Sequence, residues 1–348
     1  MTDNNTFTAW TSIGKDKPLV EMKHTLRPWD EDSVEIQITH CGICGSDIHT
    51  IDSGWHPTDY PCVPGHEITG VVTQVGKNVS RLKVGDRAGL GPLCCSCKQC
   101  TYCAQGEENV CEKGVILTYN DHWPTGEKTY GGYADKWRGD QAFVCKIPDN
   151  MTNENAATFL CGGITTYAPL KRFHVRPGSV VGVLGIGGLG HFGVLFSKAM
   201  GATVIGLSSS ERKREVAAEL GCDDYVVTSD TEAMNKYTNK LTHILCTGVG
   251  EDFTWEPYFK IMKPNAVFIN VNAPEFTYPP VPLMMLMFKQ VTISGSLAGS
   301  PADAEDMLQL AADKNLRAWY KKYPMKDVNK AIEDFRAGQA RFRFVLEN

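Results

Sequence analysis

Val180-Val-Gly-Val-Leu-Gly185-Ile186-Gly187-Gly188-Leu189-Gly190-His-Phe-Gly-Val-Leu195 is an apolar strand pattern that runs into Gly-x-Gly-x-x-Gly and then into a helix pattern. The first glycine allows a tight turn. The second lets a pyrophosphate approach the backbone, and the third lets helix pack on strand. Amides at the helix N-terminus then face the phosphates. Glycine-rich turns are common, so the motif gains weight only from its context. Here a strand precedes it, a helix comes after, and a second strand, Thr203-Val-Ile-Gly-Leu207, comes next. The glycines also mark Val180–Phe196, the longest nearly apolar run, as strand–turn–helix rather than a membrane span.

Working outward, the alternation continues through Tyr225-Val-Val, His243-Ile-Leu-Cys, Ala266-Val-Phe-Ile-Asn and Val291-Thr-Ile-Ser. That pattern predicts an α/β unit with a doubly wound parallel sheet. The end of the second strand selects the cofactor. A dinucleotide site for NAD has Asp or Glu there, accepting from ribose hydroxyls. This chain has Ser208-Ser209-Ser210-Glu211-Arg212-Lys213-Arg214. Hydroxyls and cations suit a 2′-phosphate, so NADP(H) is the expected cofactor. Glu211 is the one contrary residue, and Arg212 and Arg214 have a simpler reading as a solvated helix face.

Upstream, Cys41-Gly-Ile-Cys44-Gly-Ser46-Asp47-Ile-His49 and Gly65-His66-Glu67 bring thiol, imidazole and carboxylate groups into a short span. These are the side chains that ligate Zn²⁺. A further ligand must come from elsewhere, and Cys161 in Phe159-Leu-Cys161-Gly-Gly-Ile-Thr165 is the best candidate. The expected arrangement is a zinc at the join of a catalytic and a cofactor domain. A second metal signal is Cys97, Cys100, Cys103 and Cys111, with C-x2-C-x2-C-x7-C spacing. Four thiolates close a tetrahedral site and mark a structural zinc. Cys94 continues the same three-residue step and Cys95 lies beside it, so the choice of four stays open on spacing.

Short strand patterns with glycine turns, such as Val34–Thr39 and Ile68–Gly76, predict a β-rich first domain. A chain of 348 residues with 42% hydrophobic and 22% charged content fits two globular domains. Net charge is −5 with both signs mixed, which argues against nucleic acid and anionic membrane as partners. Thirteen cysteines in a chain without a secretory leader pattern predict reduced thiols, metal ligation and a cytoplasmic location.

Together these motifs resemble the zinc-dependent medium-chain alcohol dehydrogenases, and within them the cinnamyl alcohol dehydrogenase branch. The likeness also covers Gly295-Ser296-Leu297-Ala298 and extends over nearly the whole chain. It implies Cys44, rather than Cys41, as ligand with His66 and Cys161, and Glu67 able to enter the shell. It implies Asp47 as partner of His66, and Ser46 and His49 as the proton path. It implies cofactor contacts from Ser46, Thr165, Gly185, Ile186, Gly187, Gly188, Leu189, Gly190, Ser208, Ser209, Ser210, Lys213, Thr247, Ser296, Leu297 and Ala298. It implies a GroES-like catalytic domain (1–155 and 298–348), an inserted Rossmann domain (156–297), two Zn²⁺ per subunit and a homodimer. Leu297-Ala298 replaces a bulkier pair usual in the family, and Asn270-Val-Asn272 stands where a glycine is common.

The implied reaction is hydride transfer between NADP(H) and a primary alcohol or aldehyde. Trp55, Ile116 and the Met284–Met287 run would make an apolar pocket for aromatic or medium aliphatic aldehydes. The Met-rich run also reads as a subunit contact or as plain core. Two rivals remain: an NAD-dependent polyol dehydrogenase, and a non-catalytic NADP-binding sensor. The first would want an acid after Leu207; the second would predict lost zinc ligands.

Overall fold

The computed structural model describes residues 5–348. They form two units. The first runs to Ile164 and resumes at Ser300–Asn348, and the second is Thr165–Gly299. The sequence motifs place the changes at 155/156 and 297/298. The offset at the first has a local cause. The helix Asn153–Thr158 continues directly into the π-helical Phe159–Gly163, all five residues of which are buried.

In the first unit a seven-stranded sheet carries the site. Its order is Tyr320–Pro324, Arg343–Glu347, Ser33–Ile43, Ile68–Val75, Arg87–Leu90 and Cys145–Lys146, with Lys136–Asp140 also on Ser33–Ile43. Ser33–Ile43 is the long central strand. Its Val34, Ile36, Ile38 and Ile43 are almost fully buried. Burying each such side chain contributes about 1.5–3 kcal/mol, which makes this strand a firm base for Cys44 and the helix beyond it. The chain's last strand, Arg343–Glu347, pairs antiparallel with the end of Ser33–Ile43, in the register Phe344 to Ile43 and Leu346 to Cys41. The expected return of the C-terminal strand to the first domain is therefore present. Gly131–Asp135 leads into the strand, which begins at Lys136.

In the second unit six parallel strands lie side by side as third, second, first, fourth, fifth, sixth in chain order. They are Asp224–Val227, Thr203–Ser208, Val180–Leu184, Leu241–Cys246, Met262–Asn270 and Thr292–Gly295. The order reverses between Val180–Leu184 and Leu241–Cys246. In open α/β sheets ligands bind at that switch, beyond the carboxyl ends of the strands. The glycine turn leaves Val180–Leu184 at that end and enters the helix Gly190–Ala199. Val181, Val183, Ile244 and Leu245 are fully buried, as strands covered on both faces should be.

Lys289 closes the helix Leu283–Lys289, and its ammonium donates to the carbonyls of Phe259 (2.6 Å), Met262 (2.8 Å) and Lys260 (3.0 Å). Those carbonyls end the helix Glu256–Ile261, where a cation suits both the dipole and the spare acceptors. The outer face of Leu283–Lys289 is unlike an ordinary surface, with Leu283, Met284, Met287 and Phe288 all exposed.

Candidate active site

Cys44 caps the helix Gly45–Ile51. Asp47, three residues on, accepts from the Cys44 amide at 2.9 Å, so the cap fixes the backbone that carries the thiol. His66 comes directly after Gly65, whose amide donates to the other Asp47 oxygen at 3.2 Å. Cys161 lies in the π-helical Phe159–Gly163, a local widening of a helix that often marks functional positions.

These three elements bring one ligand atom each from Cys44, His66, Glu67 and Cys161 within 4.8 Å of one another. The Cys44 and Cys161 sulfurs are 3.8 Å apart. Two Zn–S bonds at a tetrahedral angle put sulfurs roughly 3.8 Å apart, so the thiols already stand at ligand spacing. The His66 Nδ1 is engaged by Asp47 Oδ1 at 3.0 Å and Tyr119 Oη at 3.1 Å, which leaves Nε2 for a metal. Glu67 pairs through one oxygen with Arg343, while its Oε2 is buried without a hydrogen-bond partner. The Cys161 thiol, with His66 beyond it, draws the Cys44 thiol well below its ordinary value. Two thiols, an imidazole held by its far nitrogen and a spare carboxylate oxygen make a donor set that fits Zn²⁺.

Asp47 is fully buried, and the oxygen that takes the Cys44 amide also accepts the Tyr133 hydroxyl at 2.9 Å. Such a carboxylate is tolerable only because donors surround it. Ser46 is half-buried, and its Oγ lies 3.7 Å from the Cys44 sulfur. His49, one turn on, stacks on Trp55 with ring centres 4.4 Å apart and planes at 18°.

The second cluster is Cys97, Cys100, Cys103 and Cys111, again within 4.8 Å. Sulfurs of Cys97 and Cys103, and of Cys100 and Cys111, are each 3.9 Å apart. Backbone amides from Gln99 and Cys100 pull the Cys97 thiol down to about 6, the direction a thiolate ligand needs. Cys94 and Cys95 stand outside this group. Their sulfurs turn to the carbonyls of Leu117 and Ser96, and burial pushes both thiols up.

In the second unit Gly185 has φ +89°, a left-handed turn that favours glycine. A Cβ on Gly190 would stand 1.9 Å from the Gly185 carbonyl oxygen, so the helix can approach the strand only without a side chain. Nothing lies within 4 Å of where a Gly187 Cβ would be, which leaves that backbone open to a ligand. Gly188 and Leu189 complete the turn, and the Thr247 hydroxyl donates to the Gly185 carbonyl at 2.6 Å, bracing it. We expect Gly190→Ala to weaken dinucleotide binding at least about tenfold, because the turn must open by more than an ångström. Fluorescence titration checks this; unaltered affinity would contradict the role given to the turn.

Ser208 ends the strand Thr203–Ser208, with exposed Ser209 and half-buried Ser210 after it. Lys213 reaches back to the Ile186 carbonyl of the glycine turn at 2.5 Å. Burial, with Arg212 nearby, holds it below the ordinary lysine range. Glu211, the contrary acid, is forked onto Arg214 at 2.6 and 2.8 Å, and Arg214 also donates to the Tyr225 carbonyl. The acid is thus neutralised beside the strand end, and Lys213 is the cation that faces the turn. Ser296 donates its amide to Asn270 at 3.3 Å, Leu297 is exposed and Ala298 is buried with φ +43°. Thr165 is half-buried in the helix Ile164–Arg172.

Arg343, Tyr119 and Tyr133 join the site without belonging to any sequence motif. An arginine inside the apolar strand Arg343–Glu347 is a visible signal; the tyrosines give none.

Residues 30–149 match the alcohol dehydrogenase GroES-like domain, and residues 188–313 the zinc-binding dehydrogenase family. A mannitol dehydrogenase of Apium graveolens is 38% identical over 97% of this chain and 93% of its own length. A cinnamyl alcohol dehydrogenase structure from Sorghum bicolor is 35% identical, with TM-score 0.92, over 98% of this chain and 97% of that one. The CAD of Helicobacter pylori, solved with NADP(H), is 30% identical with TM-score 0.89 over 98% of both chains.

Proposed function

Since the chain belongs to the zinc-dependent medium-chain alcohol dehydrogenases, on their cinnamyl alcohol dehydrogenase-like branch, we propose that it moves hydride between NADP(H) and a primary alcohol–aldehyde pair, chiefly reducing aromatic or medium aliphatic aldehydes. The observation that carries this is the convergence of Cys44, His66, Glu67 and Cys161. A bound Zn²⁺ supplies a Lewis acid for the carbonyl oxygen, and NADPH supplies the hydride.

The chain's own residues do the rest. Cys44, His66 and Cys161 hold the metal, and Asp47 fixes the His66 ring. Arg343 holds one oxygen of Glu67 and leaves the other spare. Ser46 gives a proton to the substrate oxygen as the C–H bond forms, and His49 restores it from solvent. Gly185 to Gly190 receive the pyrophosphate on backbone amides. Ser208, Ser209, Ser210 and Lys213 hold the 2′-phosphate, while Thr165, Thr247 and the Ser296–Ala298 backbone complete the cofactor contacts. Cys97, Cys100, Cys103 and Cys111 hold the structural zinc. In this reading the first unit is the catalytic domain and the second the cofactor domain.

The NADP(H) complex of the 30%-identical Helicobacter pylori protein supports the cofactor choice. So does Lys213. We expect Lys213→Glu to raise the NADPH KM by about 10–100-fold, since a charge-assisted bond of about 1.5–3 kcal/mol is lost, with NADH little changed. Equal effects on both cofactors would remove the phosphate role.

The mannitol dehydrogenase relative gives the polyol reading its one specific support. Against it, no acid stands at the end of Thr203–Ser208. A panel of benzaldehyde, cinnamaldehyde and hexanal with NADPH, and of mannitol with NADP⁺ and NAD⁺, tests the substrate class. Fast aldehyde reduction supports this proposal; turnover confined to mannitol and NAD⁺ would replace it.

A homodimer is supported by the sheet end at Thr292–Gly295, which has one neighbour among the described strands, and by the exposed apolar face of Leu283–Lys289 beside it. That exposure favours a subunit contact for the Met-rich run. All thirteen cysteines are unpaired by disulfide, as a reducing cytoplasm would keep them. No helix among the described residues is long and apolar enough to cross a membrane.

A further inference from the structure

Tyr119 belongs to no motif, yet its hydroxyl ends against the metal cluster. It lies 3.1 Å from His66 Nδ1, beside Asp47 Oδ1 at 3.0 Å from the same nitrogen. The phenol and imidazole rings also touch, with centres 5.5 Å apart and planes at 43°. We propose that Tyr119 is a positioning residue for the zinc site: with Asp47 it clamps the His66 ring, so that Nε2 stays aimed at the metal. This rests on the zinc reading given above.

The clamp has two jaws on one nitrogen. Asp47 is a spent acceptor: it already receives the Cys44 amide, the Gly65 amide and the Tyr133 hydroxyl. It can hold the Nδ1 proton, but a single hydrogen bond leaves the ring free to tilt about that contact. A second polar neighbour at almost the same distance removes that freedom. Tyr119 is itself held rigidly. The preceding Thr118 donates its amide to Pro92 at 2.9 Å and its hydroxyl to Gly91 at 2.6 Å, and the next residue, Asn120, accepts the Asp59 amide at 2.9 Å. The phenol itself is buried. Partners that orient a metal-bound imidazole commonly change metal affinity by about 10–100-fold when removed.

The test is zinc release from the intact holoenzyme to the chromogenic chelator 4-(2-pyridylazo)resorcinol. Tyr119→Phe keeps the ring and its packing and removes only the hydroxyl. The wild-type chain should release two zinc ions in two phases, one tracking loss of aldehyde reduction. In Tyr119→Phe that phase should quicken about tenfold or more. The other phase, from the Cys97–Cys111 quartet, should keep its rate, which a general loosening of the fold would not allow. Equal rates for both phases in variant and wild type would overturn the role of Tyr119 while leaving the zinc reading intact. A wild-type chain that yields no zinc in the active phase would overturn the zinc reading, and this inference with it. The visible spectrum of the cobalt-substituted enzyme is the second measurement: a changed absorption in Tyr119→Phe supports the clamp, and an identical one contradicts it.

Discussion

Cys44→Ser should lose aldehyde reduction by on the order of 10³-fold or more, because several kcal/mol of charge stabilisation leave with the metal. A hydroxyl replaces a thiolate in a buried donor set whose sulfurs stand 3.8 Å apart. Zinc content should fall from two ions per chain to one, the quartet keeping its own. NADPH affinity should hold, since the glycine turn and Lys213 belong to the second unit. His66→Ala should behave alike. Turnover preserved in zinc-replete buffer would end the assignment of this cluster.

Arg343→Met should be the most damaging single change to stability. Arg343 and Glu67 are both almost completely buried and paired with each other. Burial pushes the Glu67 carboxyl up to about 7 even against the pull of the guanidinium. Removing one partner of such a pair strands the other charge, at a cost of about 3–5 kcal/mol. For a chain of 348 residues that lowers the thermal midpoint by roughly 4–7 °C. Adding Glu67→Gln should recover much of the loss, because the stranded charge is then gone. Calorimetry on zinc-loaded protein checks both; a single variant within about 1 kcal/mol of wild type would show that the pair contributes little.

How much is legible in the sequence depends on the distance between partners along the chain. The capped turn Cys44–Asp47, the Cys97–Cys111 quartet and the Gly185–Gly190 turn are local devices, and their residue types state their chemistry. Leu207 with three serines after it is legible for the same reason. The partners of those residues are not. Glu67 meets Arg343 across 276 positions, and His66 meets Tyr119 across 53. Such contacts come from strand pairing, as when Arg343–Glu347 adds to Ser33–Ile43, and no spacing encodes them. Cys94 and Cys95 are ambiguous in sequence because a three-residue step continues through Cys94. In the fold both sit in the short strand Leu93–Cys95, which points their thiols to carbonyls. The π-helical widening at Cys161 is hidden because Phe159–Gly163 reads as ordinary helix.

The most direct test is anomalous diffraction at the zinc edge from crystals of the active enzyme. The account predicts two peaks per chain. One should lie about 2.0–2.3 Å from the Cys44 and Cys161 sulfurs and the His66 Nε2, and the other inside the Cys97–Cys111 quartet. A fully active crystal with no peak among Cys44, His66 and Cys161 would contradict it.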